Sequence, residues 1–291
     1  MEHAALILEG GAQRGVFTAG VLDFWMERGL EFPYIVSVSA GTCCALGYLS
    51  RQPGRTKACM LPSEDNCYYG IQQFRENRRI MDLRKVFFDY PYGKFPFDFD
   101  TYFRSPTEHE MVTTEQSSGQ AAYFSVKSDP HRLSTIAMAS CSMPVLNPPV
   151  EIDGSLHYDG GVADSIPVGR AVAKGYSKVV AVLTRRAGVY PKSSPRTQAI
   201  YSVFFRQYPA FSAAMLSRPN RYRAQVAQLD RMERQGRAFL LRPEIPEIKH
   251  LEWDINVVEA YYQHGYETAA RCWAELETFL AQPFHPASGA P

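Results

Sequence analysis

Ser39 is the residue of this sequence whose setting best suits covalent chemistry. It stands in Ser37-Val38-Ser39-Ala40-Gly41, between an apolar run and a run of small, mostly apolar residues. This pattern predicts a strand that turns sharply into a helix, with the Ser39 hydroxyl at the apex of the turn. The usual nucleophile pattern is Gly-x-Ser-x-Gly; Gly41 is present here, whereas Ser37 stands at the first glycine position. A serine in such a place is also an ordinary helix N-cap, so this segment leaves both interpretations open.

A glycine-rich loop with one arginine follows the first predicted strand. Gly10, Gly11, Arg14 and Gly15 lie between an apolar run and a helical pattern. Glycines let the chain turn tightly and leave backbone N–H groups open to an anion. The spacing fits neither a phosphate loop nor a dinucleotide-binding loop, which disfavours a nucleotide ligand. The loop is predicted to hold an oxyanion, with Arg14 fixing it or adding positive charge, or to be a plain tight turn.

Asp159 is the third candidate, because it precedes two glycines after a short predicted strand. The turn Asp159-Gly160-Gly161 can present a carboxylate. Asp-Gly is a common turn dipeptide, and Asp153-Gly154 is a second copy a few residues earlier, so a purely structural turn fits as well. The seven histidines of the chain occur in no motif that would suit a catalytic base.

In this order, the three motifs resemble those of the patatin-like phospholipase family, in its bacterial-type, single-domain form. The resemblance covers residues 4–183, and its supporting matches are Gly20-Val21-Leu22, residues 139–144 and Ser165-Ile166-Pro167. The chain departs from the family pattern at Asp164, where asparagine is more common, and at Ser37.

The resemblance implies an α/β fold, a three-layer α/β/α sandwich of the patatin type with a mainly helical C-terminal third. It implies a serine acyl hydrolase of the phospholipase A, lysophospholipase or esterase type. Ser39 would attack the ester carbonyl and become acylated. Asp159 would take the serine proton directly, with no histidine between them, and later activate water.

The resemblance also assigns supporting residues. The oxyanion hole would come from the glycine loop, that is, from Gly10, Gly11, Arg14 and Gly15. The residues that would support the serine and aspartate turns are Ser37, Gly41, Gly160 and Gly161. Serine is small, so we expect the turn to tolerate Ser37 and Ser37→Gly to leave activity equal or higher.

Two other functions remain open from the sequence. The first is a lipid- or acyl-binding protein that keeps the fold and has weak or no catalysis; Ser39 and Asp159 argue against it, and Ser37 leaves it open. The second is a peptidase that uses the same serine turn, which no feature of the sequence favours.

The elements that must position these motifs follow from the hydrophobic periodicity. Strands are predicted at 4–8, 34–38, 150–152, 156–158, 178–184 and 239–241. The segments 110–114 and 121–126 are predicted to form a hairpin around Ser117-Ser118-Gly119. Helical patterns occur at 16–25, 40–49, 71–79, 133–142, 165–173, 198–206, 210–216, 221–234 and 256–281. Alternation of strand and helix in the first half predicts one α/β domain over residues 1–283, followed by a flexible tail over 284–291.

Two further segments are unusual in composition. Nine aromatic residues crowd into 87–103, which predicts a wall or lid over an apolar substrate site, or a connection held to the core by its rings. Seven arginines lie from Arg218 to Arg242, which predicts a solvated helix face or an anionic interface. Together the two segments motivate the hypothesis of peripheral membrane contact.

Composition narrows the function class further. The 291 residues carry a net charge of +1 at pH 7, which gives no reason to expect a nucleic-acid partner. A start without a basic leader predicts a cytoplasmic protein, with its six cysteines as reduced thiols. Cys59 and Cys67 lack nearby histidines, and neither a metal nor a cofactor is expected. The expected partner is a lipid or acyl-ester substrate; the oligomeric state is left open.

Overall fold

The computed structural model describes residues 4–62, 66 and 81–282 and is built around a mixed sheet. Its strands are β1 (Ala4–Leu8), β2 (Tyr34–Val38), β3 (Glu108–Glu115), β4 (Ala121–Phe124), β5 (Val150–Ile152), β6 (Ser155–Asp159), β7 (Lys178–Val182) and β8 (Ala238–Leu241). Strands β8, β7, β1, β2 and β3 run parallel in that order, and β4, β6 and β5 add antiparallel pairs.

Helices connect these strands and form the C-terminal third. They are α1 (Gly15–Glu27), α2 (Ala40–Leu49), α3 (Arg55–Met60), α4 (Phe99–Arg104), α5 (Pro130–Ser140), α6 (Val168–Ala173), α7 (Pro195–Phe204), α8 (Pro209–Arg234), α9 (Ile255–Arg271) and α10 (Trp273–Ala281). Single turns of 3-10 helix occupy Ala12–Arg14, Tyr90–Tyr92 and Gly160–Val162, and a π turn occupies Lys85–Asp89.

The alternation of side chains along the central strands explains the layering. Leu6 and Leu8 of β1 pack in the core that contains α1, α2 and α9. Ala5 and Ile7 point to the other face, into the core that contains α6 and α8. A strand buried on both faces is mostly apolar, which is why β1, β2 and β7 are hydrophobic along nearly their whole length, with Ser37 and Lys178 as the polar exceptions. The structure therefore confirms the predicted three-layer α/β/α sandwich.

Strand β3 brings two other strands end to end. Its residues 111–114 pair with β4 along one edge. Along the other edge, Val112 pairs with Val38 at the end of β2, and Thr113 pairs with Asp159 at the end of β6. Ser39, the residue after Val38, therefore leaves β2 at the level where Asp159 ends β6.

Some predicted helices differ from the observed ones. The segments 210–216 and 221–234 form one helix, α8, which continues through Pro219. The segment 256–281 is two helices that meet at Cys272, and α6 begins at Val168 with Pro167 as its N-cap. The helix predicted at 71–79 and the tail at 284–291 lie outside the described residues. Within the described part, no helix combines the length and the apolar character needed to cross a membrane.

Candidate active site

Ser39 occupies a strained turn between β2 and α2. Its φ is 53° and its ψ is −123°, a backbone conformation that L-residues rarely adopt and that is typical of a nucleophile turn. Its carbonyl accepts the amide of Thr42 at 2.8 Å, so Ser39 caps α2, and its own amide donates to Ser140 Oγ at 3.0 Å. Ser39 therefore stands at the sharp turn between strand and helix at which the sequence predicts a nucleophile.

Gly41 and Gly10 allow the close packing that this turn requires. A Cβ on Gly41 would lie 2.5 Å from the carbonyl oxygen of Leu8, so α2 could not approach the end of β1. A Cβ on Gly10 would lie 2.9 Å from the Ser39 Cβ. The backbone of the glycine loop consequently passes directly beside the serine.

Asp159 lies against Ser39, as the sheet register requires. Its carboxylate accepts the amide of Gly161 at 2.7 Å and lies near enough to the Ser39 hydroxyl for that group to lower its pKa. Glycine at position 160 allows the turn to pass close to β3, because a Cβ there would lie 2.3 Å from the Val112 carbonyl oxygen. The structure thus brings together the two residues that the sequence singled out separately.

The environment of Asp159 makes it a stronger base than an ordinary carboxylate. Burial raises the pKa of Asp159 above its usual value of 3.8; the hydrogen bonds from Ser39 and Gly161 and the positive charge of Arg218 partly oppose this shift. A raised pKa improves the capacity of a carboxylate to accept a proton near neutral pH.

The residues of the glycine loop differ in whether their hydrogen-bond donors are already used within the protein. The amides of Gly10 and Gly11 have no hydrogen-bond acceptor among the residues that the structure describes. The amide of Gly15, in contrast, is already used by the carbonyls of Ala12 and Gln13, and its missing side chain leaves room for Ala40. Arg14 is buried and donates through Nε to the Gly11 carbonyl at 3.3 Å, while its Nη2 lies 3.0 Å from His250 Nε2. Arg14 therefore braces the loop.

Ser37 belongs to a buried polar chain that ends at the Ser39 amide. Its hydroxyl lies 2.8 Å from His109 Nε2 and 3.0 Å from Thr42 Oγ1. Thr42 Oγ1 in turn lies 3.1 Å from Ser140 Oγ, which accepts the Ser39 amide. Burial lowers the pKa of His109 to about 3, so the ring is neutral. The serine at the first glycine position has partners of its own.

Two cavities meet at Ser39. The first, which we call the apolar cavity, encloses about 1000 Å³ including its open mouth and is lined chiefly by apolar side chains. Phe87, Phe97 and Phe99 are among them, as the wall interpretation of the aromatic segment predicts. The second, which we call the arginine cavity, encloses about 1620 Å³ and is lined by Asp159, Gly10 and Gly11 as well as by several cationic side chains.

Sequence reasoning missed the part that α8 plays at this site. Arg218 Nε donates to the Gly161 carbonyl at 2.7 Å, and Arg221 Nη1 donates to the Val162 carbonyl at 2.7 Å. Two of the seven arginines thus hold the turn that follows Asp159. The only sequence signal was their density, which did not indicate a partner 57 residues away.

The described residues contain no group of three or more His, Cys, Asp or Glu side chains placed to hold a metal ion. The five cysteines in this part of the chain are free thiols.

Comparisons with known proteins bear on the fold and the family. The Patatin-like phospholipase family model matches residues 6–172, more than half of the chain, and a model described as a domain of unknown function (DUF6363) matches residues 208–281. "Uncharacterized protein YjjU" of Escherichia coli (strain K12) is 28% identical over 191 residues, which cover 64% of this chain and 53% of that protein. The chain therefore spans about half the length of this curated relative.

The fold also occurs in a solved structure. The crystal structure of VipD from Legionella pneumophila superposes with a TM-score of 0.52 and covers 94% of this chain and 67% of that chain. Sequence identity is 12%, so this likeness concerns the fold alone.

Proposed function

The chain belongs to the patatin-like phospholipase family, and from this we propose that it is a serine acyl hydrolase that cleaves lipid carboxylic esters through Ser39 and Asp159. The observation that carries the proposal is that Ser39, on its strained turn, lies beside the buried Asp159 carboxylate at the junction of two cavities. A serine hydroxyl is a poor nucleophile until such a base removes its proton.

In the first half of the reaction, Ser39 Oγ attacks the ester carbonyl while Asp159 accepts the hydroxyl proton. The carbonyl oxygen becomes negatively charged in the tetrahedral intermediate. The amides of Gly10 and Gly11 donate to it, since neither has another acceptor among the described residues. Fixed donors of this kind contribute about 10²–10³ each to the rate. The intermediate collapses to the acyl-enzyme, and the proton held by Asp159 passes to the departing alcohol.

In the second half, water attacks the acyl-enzyme and Asp159 accepts its proton. Ser39 Oγ then leaves, takes that proton back and releases the carboxylic acid. The apolar cavity receives the acyl chain, because its walls are aliphatic and aromatic side chains. Arg14 supports the reaction through the shape of the loop, because its described bonds are to the Gly11 carbonyl and to His250.

The proposal is tested by labelling the purified chain with a fluorophosphonate, followed by intact mass and peptide mapping. We expect a single adduct on Ser39. We also expect turnover of a p-nitrophenyl acyl ester, with a loss of about 10³-fold or more in both Ser39→Ala and Asp159→Asn. Ser177→Ala, an exposed serine outside both cavities, is the matched control for the labelling.

Two outcomes would contradict the proposal. Full turnover in Ser39→Ala would exclude Ser39 as the nucleophile. A folded protein with neither adduct nor turnover would favour a lipid- or acyl-binding protein that retains the fold.

A further inference from the structure

The arginine cavity is lined by more cationic than acidic side chains. Arg14, Arg185, Lys192 and Arg218 all line it, and the cavity reaches Ser39 itself. Arg185 follows the end of β7, and Arg218 belongs to α8, so the charges come from separate elements that converge on one space.

Three of these cations have no ion-pair partner among the residues that the structure describes. No carboxylate of the described residues lies within ion-pair distance of Arg185, Lys192 or Arg218. Arg185 lies 5.8 Å from the centre of the Tyr222 ring, and the described hydrogen bonds of Arg218 all use its Nε. The terminal nitrogens of both guanidinium groups are therefore available to a ligand.

The acidic side chains that face this space do not neutralise it. Glu9 is buried and accepts the Thr184 amide at 2.6 Å, and Asp159 is buried and accepts the Gly161 amide at 2.7 Å. Burial lowers the pKa of His250 to about 4, and Arg14, Arg185 and Arg218 all act in the same direction. His250 is thus neutral at pH 7 and adds no positive charge beside the three arginines.

We propose that the arginine cavity binds the anionic headgroup of the substrate, a phosphate ester held by Arg185, Arg218 and Lys192, while the acyl chain fills the apolar cavity. This inference rests on the proposed function for the position of the ester, which would lie at Ser39 between the two cavities. Guanidinium groups suit this ligand because their forked donors match two phosphate oxygens. A neutral glyceride offers only uncharged hydrogen-bond acceptors to these donors and leaves the like charges unopposed.

Binding to the Ser39→Ala chain tests the inference without turnover. Calorimetric titration below the critical micelle concentration would compare 1-lauroylglycerol 3-phosphate with 1-lauroylglycerol, which differ only in the phosphate. We expect the phosphate ester to bind at least about tenfold more tightly, in keeping with several charge-assisted hydrogen bonds. Inorganic phosphate is titrated alongside, to separate a lipid headgroup from a free anion.

Three charge variants in the Ser39→Ala background localise the effect. Arg185→Gln and Lys192→Gln should each reduce the ratio of the two dissociation constants by about threefold to tenfold. Lys192 is exposed, so its replacement leaves the core intact. Arg231→Gln, which removes the same charge from an exposed position of α8, should leave the ratio unchanged.

Equal dissociation constants for the two lipids would overturn the inference. So would inorganic phosphate that binds as tightly as the phosphate ester, or a loss of selectivity in Arg231→Gln equal to that in Arg185→Gln. Selective binding in a protein whose Ser39 takes no fluorophosphonate would defeat the hydrolase proposal and leave the headgroup site standing.

Discussion

Asp153 and Asp159 begin the same dipeptide in the sequence, and their surroundings give them different chemistry. Asp153 is exposed at the β5–β6 turn, where the ion pair with Arg132 lowers its pKa. Asp159 is buried at the end of β6, and burial raises its pKa. The sequence could identify Asp159 as a candidate by its two following glycines, but only the position opposite Ser39 separates a base from a turn.

Asp159→Asn should stabilise the fold at neutral pH while it removes activity. The pKa of Asp159 is higher in the folded chain than in the unfolded chain, so the protonated form stabilises the fold at low pH. This contribution is lost as the pH rises through the folded-state pKa, and above that pKa the ionised carboxylate lowers stability. Asparagine keeps the acceptor for the Gly161 amide and carries no charge. We expect a melting temperature a few degrees higher at pH 7.5, measured by calorimetry, with a gain that vanishes near pH 3.

The activity of the unsubstituted chain provides the complementary check. Because the base must be ionised, kcat/KM should fall as the pH is lowered through the raised pKa of Asp159. A lower melting temperature for Asp159→Asn at pH 7.5 would contradict the assignment of a buried base with a raised pKa.

Ser37 shows why a departure from a family pattern is hard to interpret from sequence. Its partner His109 is 72 residues away, so only the structure reveals the hydroxyl's role. Ser37→Gly would leave His109 Nε2 and Thr42 Oγ1 without this partner in a fully buried setting. In place of the equal or higher activity expected from sequence, we now expect the free energy of unfolding to fall by about 1–3 kcal/mol and kcat to fall with it.

Urea unfolding and steady-state kinetics would measure both effects. Ser37→Ala is the matched variant, since it removes the hydroxyl and keeps the backbone restraint of a side chain. If Ser37→Gly retains stability and full kcat, the buried polar chain does not support the elbow.

At the level of elements, the strands were the most predictable part. The predicted bounds 4–8, 34–38 and 150–152 coincide with β1, β2 and β5, because glycine, proline or Asp-Gly turn residues closely limit each of these short segments. The helices of the C-terminal third were less predictable. A break at Pro219 is the ordinary expectation, since proline removes one helical hydrogen bond. Arg218 and Arg221, on either side of Pro219, anchor α8 to the Asp159 turn, and these distant contacts outweigh the local preference.

Arg221→Gln should impair catalysis through the geometry of that turn. Glutamine is too short to reach the Val162 carbonyl, so the segment after Asp159 loses one of its two anchors. We expect kcat to fall by roughly tenfold, with KM little changed, because a small displacement of a catalytic group is costly. Amide hydrogen exchange of residues 160–165 should become faster. Arg231→Gln removes the same charge from an exposed part of α8, and an equal loss of kcat there would rule out the anchoring role.

At the level of the whole molecule, the alternation of strands and helices predicted the three layers but not how the C-terminal third joins them. Helix α9 packs backbone to backbone on α1, and glycines on both helices permit it. A Cβ on Gly20 would lie 2.2 Å from the Tyr262 carbonyl oxygen, and one on Gly265 would lie 2.1 Å from the Phe17 carbonyl oxygen. The hydrophobic periodicity of α1 and α9 does not indicate that these two helices contact each other. Their packing could therefore not be predicted from the sequence.

This packing predicts that the C-terminal third unfolds together with the remainder of the chain, as one domain. Helix α1 follows the glycine loop directly, so a displaced α9 would also disturb the oxyanion donors. Gly265→Ala should therefore lower the melting temperature and kcat together, because the added carbon meets backbone that cannot move aside. Gly169→Ala is the matched control, since nothing lies within 4 Å of its added carbon and alanine favours the helix by about 0.5–1 kcal/mol. Calorimetry should show one transition for both variants; two resolved transitions would mean that residues 208–281, which match a family model of their own, form a separate unit.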